Sequence, residues 1–243
     1  MANIFPRGSN LLPIKIVICL LILGPAVTAG MWYYFTPKYT RVGYQPPQPV
    51  PFPHDVHVAQ LGMDCRYCHS FVEVAAHSNV PTTQVCMNCH SQVQKDNPVL
   101  APMRESWETG KPIAWVQIHK TPDYAYFNHS VHVNRGVSCV SCHGKVNEMP
   151  VVYHAQPHSM AWCLDCHRNP EHALRPLDQV TNLNWKPEDL DAKTFLAKYG
   201  TPPGHDAKDY SKVSKLSQEE IGLILKDKWK VNAPVDNCFG CHR

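Results

Sequence analysis

Phe127-Asn128-His129-Ser130-Val131-His132-Val133-Asn134-Arg135-Gly136-Val137-Ser138-Cys139-Val140-Ser141-Cys142-His143 joins two histidines, three residues apart, to a C-x-x-C-H ending. That ending is the attachment signature of c-type haem. Two thiols a helical turn apart can form thioethers to the two vinyl groups, and the histidine directly after them is carried to the iron. The ending occurs five times. The expected thioether cysteines are Cys65 and Cys68, Cys86 and Cys89, Cys139 and Cys142, Cys163 and Cys166, and Cys238 and Cys241. The expected proximal ligands are His69, His90, His143, His167 and His242. Zinc is the competing use of paired cysteines, but a zinc ribbon has no reason to place histidine after the second cysteine every time. The count therefore predicts five covalently bound haem c groups.

Ten of the 11 cysteines belong to these signatures, and the remaining one, Cys19, lies in an apolar run. No disulfide framework is left to build, so the cysteines report on cofactors rather than staples. With 22 prolines and 15 histidines, the expected fold is a multihaem one: short α-helices and irregular loops around five porphyrins, plus one N-terminal transmembrane helix. The formal charge of +3 misleads about partners, because five haems would bring it to about −2 oxidised and about −7 reduced. No basic cluster suited to phosphate contacts is present, so nucleic acid is not an expected partner.

In chain order, 1–13 is a short segment expected on the cytoplasmic side. Residues 14–35 form an apolar run, and about 20 such residues cross a bilayer as a helix. Gly24 and Pro25 would loosen it, and Trp32, Tyr33 and Tyr34 suit an interfacial belt. A cleaved signal peptide is the alternative, with Val27-Thr28-Ala29 as its small-residue site. Haem attachment outside the cytoplasm orients the chain: single-pass in a bacterial cytoplasmic membrane, haem domain on the periplasmic side. A proline-rich linker, 36–51, contains Pro-Pro-Gln-Pro-Val-Pro-Phe-Pro across its end, a semi-rigid spacer by composition.

Residues 52–90 and 127–167 then repeat one another. Phe52-Pro53-His54-Asp55-Val56-His57-Val58 matches Phe127 to Val133, and Gly62 and Gly136 each stand three residues before a signature cysteine. Each copy holds two signatures, so two di-haem modules are expected, separated by a connecting segment, 91–126. There Met103 to Thr109 reads as a short helix stopped by Gly110. A C-terminal extension, 168–243, carries the fifth signature. Within it Pro187 to Tyr199 reads as one helix. Ser217-Gln218-Glu219-Glu220 is a capping box, with Ile221, Leu225 and Trp229 on one face behind it.

Ten histidines remain beyond the proximal five. His158, His172 and His205 lie in polar, proline-flanked loops and read as structural. His54, His57, His129 and His132 recur as a spaced pair before each first signature, which packing alone does not explain. F-x-H-x-x-H before C-x-x-C-H resembles cytochromes of the c3 and c7 type. The resemblance implies that the first histidine caps the haem of the following signature and the second caps a neighbour. His54 would then serve the site of His69, His57 that of His90, His129 that of His143, and His132 that of His167. The site of His242 is left over. His119 is its leading candidate distal ligand, with His77 and His154 next, and Met149, preferred to Met160, is the methionine alternative.

A wider resemblance rests on Leu-Gly-Met-Asp-Cys-Arg-Tyr-Cys-His, Cys-Met-Asn-Cys-His, Arg-Glu-Ser-Trp-Glu-Thr-Gly-Lys-Pro-Ile, Tyr-Phe-Asn-His-Ser-Val-His-Val and Trp-Cys-Leu-Asp-Cys-His-Arg-Asn-Pro-Glu. Residues 51 to 171 are similar to the membrane-anchored pentahaem subunit of alternative complex III, a quinol:electron-acceptor oxidoreductase. This resemblance implies partners: an iron–sulfur subunit, integral-membrane quinol-binding subunits and a monohaem cytochrome c. The implied role is an electron relay with no substrate chemistry of its own. A stand-alone membrane quinol dehydrogenase, a catalytic multihaem enzyme with an open iron position, and a wiring cytochrome outside any complex are the rival readings.

Overall fold

The computed structural model describes residues 6–35, 40–206, 210, 213–234 and 237–242. It divides into two units, one up to Val42 and one from Gly43 onward.

In the first unit, α1 (Leu12–Phe35) is one helix, continuous through Pro25. The Thr28 hydroxyl donates to the Gly24 carbonyl at 2.9 Å. Its described side chains are exposed from end to end, including Leu21 at 69% and Trp32 at 72%. A helix this long and apolar meets the length and composition needed to cross a membrane. A signal sequence meets the same test.

The second unit is helical and rich in loops. Its helices are α2 (Cys65–Cys68), α3 (Thr83–His90), α4 (Ala101–Thr109), α5 (His129–Val133), α6 (Cys139–His143), α7 (Met160–Arg168), α8 (Ala192–Tyr199) and α9 (Gln218–Lys228). Among the described residues the only β pairing is an isolated bridge between Val137 and Leu174. The second, third and fourth signatures lie within helices, α2 holds the first up to Cys68 with His69 just past its end, and the fifth opens on a 3-10 turn, Cys238–Gly240. Polar residues start several of these turns by accepting otherwise unpaired backbone N–H groups: Asp64 from Arg66, Ser159 from Trp162, and Asn237 from Phe239.

Two apolar clusters brace the ligand-bearing segments. The larger lies in the extension, where Leu174, Trp185, Phe195, Leu216, Ile221, Ile224 and Leu225 are buried together and Val137 and Trp229 pack on them. The smaller joins Val50, Leu100 and Met103, with Cys86 and Met87 against it. Gly110, in the left-handed region at φ 69°, ends α4 as the sequence suggests. The capping box at Ser217 and Glu220 is formed, and Ile221 and Leu225 are fully buried behind it.

Two expectations change. Pro187 to Tyr199 is not one helix. A 3-10 turn, Pro187–Asp189, ends at Leu190, and Asp191 then accepts from the Thr194 backbone to start α8 afresh. The described part of the proline-rich linker is held rather than free. Gln45 donates to the Val151 carbonyl, Gln48 exchanges two hydrogen bonds with Val116, and Val50 is buried on Leu100 and Met103. The glutamine side chains supply the bonds that the intervening prolines cannot donate. Residues 36–39 of the linker lie outside the described residues.

Candidate functional site

The duplication in sequence is also a duplication in space. Phe52 stacks on His57 with ring centres 4.2 Å apart and 24° between planes, and Phe127 stacks on His132 at 4.5 Å and 29°. The same phenylalanines meet His54 and His129 edge-on, both at 4.8 Å. In each module one aromatic ring thus fixes two imidazoles at once.

Three imidazole pairs face one another across a similar gap. His57 and His90 have centres 6.3 Å apart, His129 and His143 6.3 Å, and His132 and His167 6.1 Å. The planes of His129 and His143 are within 12° of parallel. Two imidazole nitrogens on one metal ion, each at roughly 2 Å, would set ring centres about 6 Å apart. His54 lies within electrostatic range of His69.

The ring nitrogens on the far side are tied down. Nδ1 of His57, His69, His90, His129, His132, His167 and His242 lies 2.7–3.0 Å from a backbone carbonyl: of Pro53, Asn79, Val93, Ala76, Asn128, Pro234 and Tyr124 respectively. A carbonyl can only accept, so each imidazole donates from Nδ1 and keeps the Nε2 lone pair for a metal. These seven rings are thereby each fixed in orientation by a backbone contact, with Nε2 left available. Sequence reasoning could not find the supporting carbonyls, because a backbone acceptor leaves no trace in residue identity. Asn79 is an exception in part: its side chain also donates to the Cys68 carbonyl and accepts from the Phe71 amide.

Burial pushes His54, His129, His132 and His143 toward the neutral form, which is the ligating one. His54 is pushed down to about 4, by desolvation first and then by the nearby His69 and His57. His143 lies well below the ordinary value, again mainly by desolvation and then by His119 and His158. Burial first, and then the neighbouring Cys166 and Cys163, raise the Cys142 thiol to about 12. These groups fit a large apolar cofactor with a cationic centre: paired neutral imidazoles, and thiols held in apolar surroundings for thioether formation. Haem c at these positions would be held by the ten signature cysteines and the facing histidine pairs.

His119 does not stand beside His242. Its ring lies 4.3 Å from that of His143, 5.3 Å from His154 and 6.1 Å from His158. His154 is fully buried, and Met149 is buried at 5% exposure in the same region, near Gly144. The Nε2 of His158, which reads as structural, bonds to the Cys142 carbonyl at 3.2 Å, and Trp162 lies against its ring. His242 instead has the Tyr124 ring 5.7 Å away. His77 is exposed beside Ala76, and Met160 is exposed at 64%. The sequence pattern missed the gathering of His119, His143, His154 and His158, because their separations carry no repeat.

Comparison with known proteins agrees with this geometry. The family model described as cytochrome c7 and related cytochrome c matches residues 50–108 and 125–194. The chain is also 34% identical, over 119 residues, to the multiheme cytochrome c subunit of menaquinone reductase from Nitratidesulfovibrio vulgaris. That alignment covers 49% of this chain and 54% of the relative, so the chain spans about half the length of the curated relative it matches.

Proposed function

Since the chain belongs to the family of cytochrome c7 and related cytochromes c, we propose that it relays electrons as a membrane-anchored pentahaem subunit of a quinol-oxidising complex. The observation that carries the relay is the set of facing imidazole pairs, with ring centres 6.1–6.3 Å apart and Nδ1 of His57, His90, His129, His132 and His167 anchored behind. Bound haem c supplies a reversible one-electron iron couple. The chain's part would be to hold the irons of the facing pairs between two fixed imidazoles, so that little rearranges when the charge changes, and to set each potential through axial ligand, burial and hydrogen bonding.

The complex is proposed as one of alternative complex III type, with an iron–sulfur subunit, integral-membrane quinol-binding subunits and a monohaem cytochrome c as neighbours. In this reading α1 anchors the chain in a bacterial cytoplasmic membrane, with the haem unit on the periplasmic side. His54, His57, His129 and His132 serve as distal ligands to the sites of His69, His90, His143 and His167. For the site of His242, His119 and Met149 are the proposed candidates. Either would have to be carried from its position near His143 or Gly144.

The similarity to a menaquinone reductase subunit favours a second reading in one respect: electrons would run through the same subunit toward the quinone. Mild detergent purification from native membranes, followed by identification of the co-migrating subunits, tests the complex. Cytochrome c reduction by quinol, measured against quinone reduction by reduced cytochrome, then decides the direction. A chain that purifies alone and shows neither activity would end both readings.

A further inference from the structure

We infer that the five attachment sites form one unbranched series that does not follow chain order: the site of His90 stands at one end, followed by those of His69, His143, His167 and His242. This deepens the relay proposed above and rests on it.

Within the first module the two sites are neighbours. His54 and His57 lie on one turn, Asp55–Gln60 with His54 just before it, and face toward His69 and His90 respectively. The Asn88 amide donates to the Tyr67 hydroxyl at 3.2 Å, and the thiols of Cys68 and Cys86 lie within electrostatic range. The second module repeats this: His129 and His132 on α5 face His143 and His167, and Cys142 is near Cys163 and Cys166.

The join between modules breaks chain order. The backbone carbonyls that accept across it on the first module's side belong to the loop after His69, not to α3. The Ala76 carbonyl accepts from both Nδ1 and the backbone amide of His129, the Ala75 carbonyl from the Ser130 amide, and the Glu73 carbonyl from the Asn134 side chain at 2.8 Å. The Cys65 and Cys139 thiols lie within electrostatic range of each other. The site of His90 is turned elsewhere: α3 packs on α4 through Thr83 and Ser106, whose hydroxyls are 2.7 Å apart, and through the Val50 cluster. The far end is joined by His167 Nδ1 on the Pro234 carbonyl, and by Cys163 near Cys241.

Exposure agrees independently. Of the ten signature cysteines, only Cys89 and Cys238 are exposed, and they belong to the two sites placed at the ends. Partners that load or unload the chain would therefore meet it at the sites of His90 and His242.

An iron map of the purified, haem-loaded protein tests the order, by anomalous scattering or electron cryomicroscopy with each iron assigned through the chain trace. The expected result gives the His90 iron one near neighbour, that of His69, and gives the His69 iron two. A His90 iron adjacent to the His143 iron would overturn the order while leaving the relay intact. Irons scattered without near neighbours would overturn the relay itself. A second readout is redox titration of His57→Met, which keeps six ligands and raises the potential of its own site. Adjacent sites interact by charge, so two of five midpoints should shift. Three shifted midpoints, as chain order requires, would refute the series.

Discussion

The two modules have the same internal plan and opposite surroundings. Phe52 and Phe127 hold their histidines in nearly the same way, yet the two copies differ where they meet the rest of the unit. In the first, Gly62 has open space around it, Leu61 is 66% exposed, and the His54 Nδ1 is buried without a hydrogen-bond partner. In the second, Gly136 lies under the Arg175 carbonyl and the Trp229 ring, Val137 bridges to Leu174, and His129 Nδ1 is held by Ala76. Duplication thus supplied the ligand geometry, and the C-terminal extension sealed one copy only. The second module borrows from both sides: a carbonyl from the first module and an apolar core from the extension.

The largest effect should come from that core. Leu225 is fully buried among Leu174, Ile221 and Phe195, and Leu225→Ala should cost about 2–5 kcal/mol. Leu100→Ala, in the smaller cluster behind α3, should cost less because its pocket can collapse toward the surface. Chemical denaturation followed by haem absorbance separates the two. Equal losses would mean that the extension is not the principal brace. A finer probe is the glycine pair. Both hold positive φ, Gly62 at 69° and Gly136 at 80°, so alanine at either costs roughly 1–2 kcal/mol in strain. Only at Gly136 would the added carbon also press on the Arg175 carbonyl oxygen and on the Trp229 ring. Gly136→Ala should therefore exceed Gly62→Ala by at least about 1 kcal/mol. A thermal melt of each variant measures the difference.

This asymmetry also marks how far the sequence can be read. The C-x-x-C-H spacing, the Phe-x-His-x-x-His pairs and the glycines aligned with them all express local chemistry, and they recur because each copy needs them. α9 was legible for the same reason: its cap and its apolar face both lie within one helical stretch, Ser217 to Trp229. The break at Asp191 was less so, because an aspartate inside a helical pattern tolerates either continuation or a fresh start. What the sequence could not disclose are the non-local choices. Nothing in the identity of Ala76 or Pro234 announces that its carbonyl will hold an imidazole 53 or 67 residues away. Likewise Gln45 and Gln48 look like spacer residues until their partners, Val151 and Val116, are known.

The residue just before each first signature isolates the contrast on the smallest scale. In the second module it is Ser138, 1% exposed, whose hydroxyl donates to the Val180 carbonyl at 2.7 Å. Ser138→Ala leaves that carbonyl without its donor, at a cost of about 1–3 kcal/mol that should not vary between pH 2 and 7. In the first module it is Asp64, partly exposed, which caps α2 and holds Arg66 at 2.9 Å and Thr181 at 3.0 Å. The Arg66 hydrogen bond draws the Asp64 carboxyl from its ordinary 3.8 down to about 2. A folded value below the unfolded one means that the ionised form stabilises the fold. Its contribution is complete above pH 3.8 and is lost as the pH falls through about 2. Solvent screening of so open a pair limits the ionic part to under about 1 kcal/mol. Asp64→Asn keeps the cap and should erase this acid dependence while costing little near neutrality. Denaturation midpoints at pH 2 and 7 for Asp64→Asn and Ser138→Ala check both. A pH-dependent Ser138 variant, or an Asp64 variant that retains the wild-type acid dependence, would show that sealing by the extension is not what separates the two modules at this position.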